Sequence, residues 1–325
     1  MKRVYLDQNK WIDLAAARTG HRRGEPYQDV LTLARAGVEH DLLSFPLSAT
    51  HYIETSHRRQ WKSRLDLATT MALLSRFHTI APESVLVPSE IDRALKARFR
   101  VPEIVRDTQV FGVGADHAFD TDIVRYEVPE GIPIDPVLKI EVERWATSVK
   151  EWAALVGPPP EEEGKIEGYD PDKHREVGER WAEAQQNLRV VREQAGWHRG
   201  EKAELVARAQ AIVDYNEPIG EALERAGLHW GHVYALEQDG MVALVEDIPL
   251  IHVASELARL RATGAQQPLT ANDLNDISAL TRAIVYCDLV VTEKQWTALI
   301  KRAGLDELYR TAVFNDLRDL GPQLV

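Results

Sequence analysis

At both ends of the chain, a short apolar run is followed at once by an acidic residue. Val4-Tyr5-Leu6 precedes Asp7, and Leu289-Val290-Val291-Thr292 precedes Glu293. Such runs are typical of strands buried on both faces, as in parallel sheets covered by helices. Groups that follow the carboxyl ends of parallel strands meet in one crevice. The pattern therefore predicts an α/β fold with a central, mainly parallel sheet and acidic side chains gathered at one edge of it.

Two other regions add acidic residues to this edge. Glu54 follows the apolar stretch 42–47 and lies in a helix that Ser48 can cap. Asp273 and Asp276 are three residues apart near the start of a later apolar helix, so they share one face of it. Acidic groups held together repel unless a cation lies between them, and hard divalent cations take oxygen ligands. We therefore expect a metal site whose ligands are Asp7, Glu54, Asp273, Asp276 and Glu293.

Charge is distributed unevenly along the chain, whose formal net charge is −12. Residues 1–106 hold 17 Lys and Arg against 12 Asp and Glu, a net of +5, whereas residues 107–325 hold 22 against 39, a net of −17. A basic part beside an acidic remainder can indicate a polyanion site. Two ordinary solvated surfaces would give the same distribution.

The sequence has neither a secretory hydrophobic segment at its start nor an apolar stretch long enough to span a membrane. Its one cysteine, Cys287, excludes an internal disulfide framework and cysteine-rich zinc sites. We expect a cytoplasmic protein without membrane contact, built around a hydrophobic core.

The middle of the chain differs from its ends. We interpret residues 85–240 as a helical insertion or subdomain between a first part of the α/β domain, 1–84, and a second part, 241–325. Residues 157–164, Gly-Pro-Pro-Pro-Glu-Glu-Glu-Gly, have a composition that favours a mobile loop. Within the insertion we predict a basic helix over 88–110, irregular chain over 111–136, and helices over 136–156, 172–195 and 200–226.

In the two flanking parts we predict alternating strands and helices. Gly37 is expected to end one helix and Asn272 to cap another. The predicted strands are 4–6, 42–47, 289–292 and 311–314, and the predicted helices are 9–17, 27–36, 66–77, 248–261, 273–286 and 293–303.

The ordered set of acids resembles the framework of PIN-like ribonucleases. The resemblance is carried by Leu6-Asp7-Gln8-Asn9, by Pro46 followed by Glu54, by Asn272-Asp273-Leu274-Asn275-Asp276, and by Tyr286 to Glu293. It covers about residues 1–80 and 245–325, because the helical block is no part of a minimal PIN-like domain. It implies a three-layer fold in which Asp7, Glu54, Asp276 and Glu293 are the first to fourth acids. In the family the fourth acid is usually an Asp one residue beyond the Thr, whereas here Glu293 follows Thr292 directly. Asp288 competes for this role from the other end of the strand.

The resemblance implies an endoribonuclease that hydrolyses RNA phosphodiester bonds with one or two Mg²⁺ or Mn²⁺ ions. Asp7, Glu54, Asp276 and Glu293 would then be catalytic. Asn9, Arg58, Arg59 and Lys62 are the candidate substrate-binding residues, with Arg18, Arg22 and Arg23 as a further phosphate-binding rim. Trp61 could stack on a base or belong to the core. His51 and His57 lack zinc-hydrolase spacing and are interpreted as surface or phosphate-facing residues.

Each acid also has an ordinary structural explanation. Asp7 can cap the first helix, and Glu54 can pair with Arg58 one turn on. Phosphatase chemistry of the haloacid-dehalogenase type needs a second Asp two residues after the first, where this chain has Asn9. A further alternative is a catalytically degenerate PIN-like scaffold that binds RNA or a protein partner. The acidic insertion suits protein contacts or self-association.

Overall fold

The fold is described from a computed structural model. It describes residues 1–101, 108–122, 127–129, 132, 134–165, 170–197, 200–264 and 269–324. Among these residues, no helix combines the length and apolar character needed to cross a bilayer.

The elements alternate between strand and helix at both ends of the chain, with helices dominating the middle. The described strands are β1 (Lys2–Leu6), β2 (Leu43–Ser44), β3 (His78–Ile80), β4 (Phe111–Val113), β5 (Leu289–Val291) and β6 (Ala312–Phe314). The described α-helices are α1 (Gln8–Arg18), α2 (Gln28–Glu39), α3 (Ala49–Ser56), α4 (Trp61–Ser75), α5 (Glu83–Phe99), α6 (Ala115–Phe119), α7 (Pro136–Val156), α8 (Pro171–Gln194), α9 (Gly200–Asp214), α10 (Asn216–Arg225), α11 (Trp230–Tyr234), α12 (Glu237–Glu246), α13 (Pro249–Gly264), α14 (Ala271–Tyr286), α15 (Lys294–Arg302), α16 (Leu305–Tyr309) and α17 (Leu317–Leu320).

The central sheet is parallel throughout and has the strand order β2-β1-β5-β6. Successive side chains of a strand point to opposite faces of a sheet. Val4 and Leu6 accordingly pack with helices α1, α2, α4 and α7, whereas Tyr5 and Val290 pack with α13, α14 and α15. The protein is thus an α/β fold with helices on both faces of a mainly parallel sheet, as predicted for its fold class.

A small antiparallel sheet joins β3 to β4 beside the main sheet. Strand β4 and helix α6 lie in the region 111–136, which was predicted to be irregular, and that prediction is wrong for these two elements. Residues 123–126, 130, 131 and 133 of this region lie outside the described residues. The strand predicted over 42–47 is shorter than expected, because Pro46 has no N–H for a ladder and Leu47 pairs instead with Thr79 of β3.

Two predicted helix ends are wrong for physical reasons. Gly37 lies inside α2, where a Cβ would come 2.3 Å from Leu43 Cδ1, so glycine serves close packing there. Thr270, not Asn272, caps α14, because the Asp273 side chain completes a capping box with Thr270. The predicted helix 200–226 is divided into α9 and α10.

The helical block shares its cores with both flanking parts. The C-terminal half of α7 packs into the core of α1, α3 and α4. Helices α9 to α12 pack with α5 and α13. The proposed boundaries at 84/85 and 240/241 fall inside α5 and α12. Residues 102–107 of the predicted basic helix lie outside the described residues.

Candidate metal centre

The acidic residues lie at the point where the strand order of the central sheet reverses. From β1 the chain proceeds to β2 on one side, and from β5 it proceeds to β6 on the other. The carboxyl ends of β1 and β5 therefore flank the crevice in which α/β proteins usually bind ligands. Asp7 directly follows β1, Glu293 follows β5 after one residue, and the Asp7 amide donates to Val291 O at 2.9 Å.

His51 fixes helix α3, and with it Glu54, against the end of β1. Its Nε2 donates to Leu6 O at 2.8 Å, and its Nδ1 accepts from the Ser48 amide at 3.0 Å within the capping box of α3. Burial lowers the pKa of His51 to about 4, so the imidazole is neutral at pH 7. The prediction of a surface or phosphate-facing His51 is therefore wrong, because both ring nitrogens are used inside the fold.

Asp276 approaches the same crevice from α14. Trp296 of α15 is buried and donates its indole Nε1–H to Asp276 Oδ2 at 3.0 Å. Because α15 begins directly after Glu293, this hydrogen bond ties the α14 acid to the segment that carries the β5 acid.

The charges of these carboxyl groups raise one another's pKa values. Burial, and next the charge of Asp7, raise the pKa of Glu54 to about 7, against the opposing effects of Asn275 and Arg58. Burial, and next the charge of Asp7, raise the pKa of Asp276 to about 8, with Glu54 and Glu293 contributing to the rise. The pKa of Asp7 is raised as well, by burial and by Glu293. We call Asp7, Glu54, Asp276 and Glu293 the acidic quartet.

Neutral donors hold the quartet in its present orientation. Thr292 Oγ1 donates to Asp7 Oδ2 at 3.1 Å, Asn9 Nδ2 donates to Glu293 Oε1, and Asn275 hydrogen-bonds to Glu54. Within the described part of the chain, no Lys or Arg forms a salt bridge with any of the four.

The donor chemistry of the quartet fits Mg²⁺ or Mn²⁺, which prefer carboxylate oxygens. Among the described residues, no group of three or more His, Cys, Asp and Glu side chains is arranged to hold a metal ion. Glu54 hydrogen-bonds with Asn275, and Glu293 Oε1 accepts a hydrogen bond from Asn9.

Asp273, the fifth predicted ligand, lies outside the quartet. Its two carboxylate oxygens accept from Arg261 Nε at 2.7 Å and Nη2 at 3.1 Å, and one also accepts from Thr270 N and Oγ1. This buried ion pair joins α13 to the start of α14. Asp288 lies at the opposite end of β5, where it accepts from the Arg3 amide at 2.7 Å.

The predicted substrate-binding residues have different surroundings. Asn9 orients Glu293, and Arg58 lies near Glu54 with its Nε on Ser63 Oγ at 3.1 Å. Arg59 is exposed and lines the cleft described below. Lys62 pairs with Asp66 at 2.7 Å and does not line that cleft.

Other predicted contributors to the phosphate-binding rim serve the fold. Arg18 and Arg23 pair with Asp66 and Asp13. Trp61 packs against the hydrophobic core, which is one of the two roles predicted for it. Several cations around α3 and α4 are therefore paired with acids of the fold.

A cleft of about 550 Å³ opens beside Glu54. Its walls are α3 with Ile53, the start of α14 with Leu274 and Asn275, and the first turns of α8 with Val177. Sequence reasoning missed the contribution of α8, because nothing in the spacing of 172–178 relates that segment to Glu54. Asn275 and Trp296 were also missed, although both adjoin predicted site residues in sequence.

The chain was compared with protein-family models, curated proteins and solved structures, and none of the three comparisons gave a match.

Proposed function

We propose that this protein is a metal-dependent endoribonuclease with a PIN-like three-layer domain. The observation that carries the proposal is the acidic quartet at the strand-order switch point. Three of its members have raised pKa values, and no Lys or Arg among the described residues forms a salt bridge with the quartet. Holding like charges together in a buried crevice destabilises a fold, and such an arrangement is typical of sites that bind a cation or transfer protons.

In this proposal Asp7, Glu54, Asp276 and Glu293 would hold the Mg²⁺ or Mn²⁺ ion. A bound ion of this kind lowers the pKa of a ligated water and stabilises the leaving oxygen of a phosphodiester. Thr292 and Trp296 keep the Asp7 and Asp276 carboxylates oriented, and Asn9 does the same for Glu293. No Ser, Cys or Lys nucleophile is needed.

RNA, rather than DNA, is proposed on the resemblance to PIN-like ribonucleases. Arg59 is exposed beside Glu54 and, among the described residues, has no ion-pair partner, so its guanidinium is available for a phosphate.

The test is cleavage of a mixed RNA pool, and in parallel a DNA pool, by the purified protein with Mn²⁺ or with chelator. Asp7→Asn is tested beside the unaltered protein. We expect cleavage of RNA with Mn²⁺, none with chelator, and at least a hundredfold loss in Asp7→Asn, the scale on which removal of one electrostatic stabiliser acts.

Equal cleavage by Asp7→Asn would refute the assignment of the site. Absence of cleavage together with tight RNA or protein binding would favour the alternative, a PIN-like scaffold without catalysis. Cleavage of DNA but not of RNA would support metal-dependent phosphodiester hydrolysis and refute RNA as the substrate.

A further inference from the structure

Helix α8 belongs to the helical block, yet it forms one wall of the cleft beside Glu54. Its first turns contribute Asp172, Arg175 and Val177 to the cleft lining. The same cleft is also lined by α3, which carries Glu54 itself, and by the start of α14. A substrate that reaches Glu54 through this cleft must therefore pass α8.

The α8 wall is fixed against α14 by a close helix contact. A Cβ built at Gly178 would lie 2.7 Å from Ala271 Cβ and 3.2 Å from Ala271 Cα. Only a glycine allows the two helices to approach this closely without displacement. Ala271 is the first residue of α14, so the wall is fixed five residues before Asp276.

A second attachment holds the chain that leads toward α8 on the side of α3 and α4. Arg64 is 3% exposed; it donates Nη1 to Pro158 O at 2.9 Å and pairs with Glu163. Gly157 has φ +73 and lies so close to Ser56 that a Cβ would come 2.7 Å from Ser56 Cβ. Residues 157–164, predicted to be a mobile loop, are thus tethered beside the cleft.

The cleft lining combines apolar surface with available cations. Ile53, Leu274 and Val177 supply one apolar side chain from each of the three helices. Arg59 has no ion-pair partner among the described residues, and Arg175 pairs only with the exposed acids Asp172 and Glu179. Exposed ion pairs of this kind contribute little, so the Arg175 guanidinium can exchange its partner for a phosphate.

We propose that α8 is the specificity wall of the site, admitting an unpaired RNA strand and contacting it through Arg175 and Val177. This inference rests on the proposed function for the chemistry at Glu54. The cleft volume of about 550 Å³ lies within the range of pockets that enclose small ligands. Unpaired nucleotides can be splayed and placed base by base in such a space, whereas a paired helix presents a rigid outer surface.

The test uses the full chain with substitutions on one helix. Val177→Trp fills the cleft from the α8 side, Arg175→Ala removes the cation, and Arg180→Ala is the matched control because Arg180 is exposed on α8 and does not line the cleft. Two activities are measured with Mn²⁺: cleavage of an unpaired RNA oligonucleotide, and hydrolysis of bis(p-nitrophenyl) phosphate, which is small enough to need the acids but not the wall. Binding of the fluorescein-labelled oligonucleotide, single-stranded or annealed to its complement, is measured with Ca²⁺.

We expect Val177→Trp and Arg175→Ala each to weaken binding and kcat/KM for the unpaired strand about tenfold. Hydrolysis of the small diester should fall much less than cleavage of the strand, Arg180→Ala should behave like the unaltered protein, and the duplex should bind at least tenfold more weakly than the strand. Unchanged binding and cleavage of the strand by Val177→Trp, or equal binding of strand and duplex, would overturn the inference. A protein that binds the strand in a Val177-dependent manner but hydrolyses neither substrate would retain the inference and reject the proposed function.

Discussion

At the scale of single residues, electrostatic repulsion within the acidic quartet opposes folding. The folded protein raises the pKa of Glu54 to about 7 and of Asp276 to about 8, whereas unfolded chains have values near 4 for these groups. Between those pH values the folded state holds protons that the unfolded state has released. The contribution of these two groups to the free energy of unfolding without metal therefore falls as pH rises from about 4 through 8.

Asp276→Asn should remove most of this pH dependence. The amide keeps an acceptor for Trp296 Nε1 and carries no charge, so repulsion with Asp7 and Glu54 disappears. We expect Tm in chelator at pH 8 to rise by about 2 °C or more, the shift that ~1 kcal/mol produces in a large domain, and to change little at pH 5. Thermal unfolding at the two pH values measures this.

Asp288→Asn is the control for that experiment, because Asp288 is exposed and lies at the opposite end of β5. An unchanged Tm for Asp276→Asn at pH 8 would mean that Asp276 carries no excess repulsion. The same substitution should lower Mn²⁺-dependent cleavage, so stability and activity are expected to change in opposite directions.

Several residue roles were predictable because one local pattern determines them. Asp7 and Glu293 follow apolar runs, and that position alone places them at the sheet edge. Asp273 was expected as a metal ligand beside Asp276, since both fit the start of a helix. Its partner Arg261 belongs to another helix, and only the packing of α13 on α14 brings the two together.

At the scale of elements, close helix contacts shape the site. Gly178 of α8 contacts Ala271 of α14, whereas Gly220 of α10 has only Trp230 Nε1 at 3.6 Å from a built Cβ, an ordinary contact. Both glycines lie inside helices, where alanine is intrinsically preferred by about 1 kcal/mol. A comparison of substitutions at these two glycines therefore separates the effect of helix propensity on stability from the effect of packing.

Gly178→Ala should destabilise the protein by about 1–3 kcal/mol, because the added methyl group forces α8 and α14 apart. Gly220→Ala should stabilise it by up to ~1 kcal/mol. Urea unfolding of the two variants gives both values from one method. A stabilising Gly178→Ala would show that α8 is not held against α14.

Helix and strand positions were predictable where periodicity is strong, as in β1, β5, α7 and α8. The strand predicted over 42–47 failed because Pro46 and the bridge from Leu47 to β3 end its pairing early. The loop 157–164 was expected to be mobile from its composition. The deciding interaction comes from Arg64, almost a hundred residues earlier in the chain, which no local composition reveals.

At the scale of the whole molecule, part of the basic charge of the first third is used in ion pairs of the fold. Several of its cations pair with acids of the fold: Arg18 with Asp66, Arg23 with Asp13, Arg64 with Glu163 and Arg76 with Asp41. Asp66, Asp13 and Asp41 are already counted in the net charge of +5, so of these four pairs only Arg64 with Glu163 draws on an acid from the rest of the chain.

RNA binding should accordingly depend only weakly on salt. Two available cations at the cleft, Arg59 and Arg175, predict a slope of about −1.4 for log K against log salt, since each single-strand phosphate contact contributes about −0.7. Arg59→Ala should reduce the slope to about −0.7. Fluorescence anisotropy at a series of salt concentrations measures it, and a slope of −4 or steeper would indicate a broad basic surface elsewhere.

The most direct test of the central claim is calorimetric titration of the purified protein with Mn²⁺ at pH 7.5, beside Asp7→Asn, Asp276→Asn and the control Asp288→Asn. The acidic quartet predicts binding of one or two ions by the unaltered protein and by Asp288→Asn, and at least tenfold weaker binding by the two quartet variants. Equal binding by Asp7→Asn, or no binding by the unaltered protein at millimolar Mn²⁺, would contradict the assignment of a metal centre to these four acids.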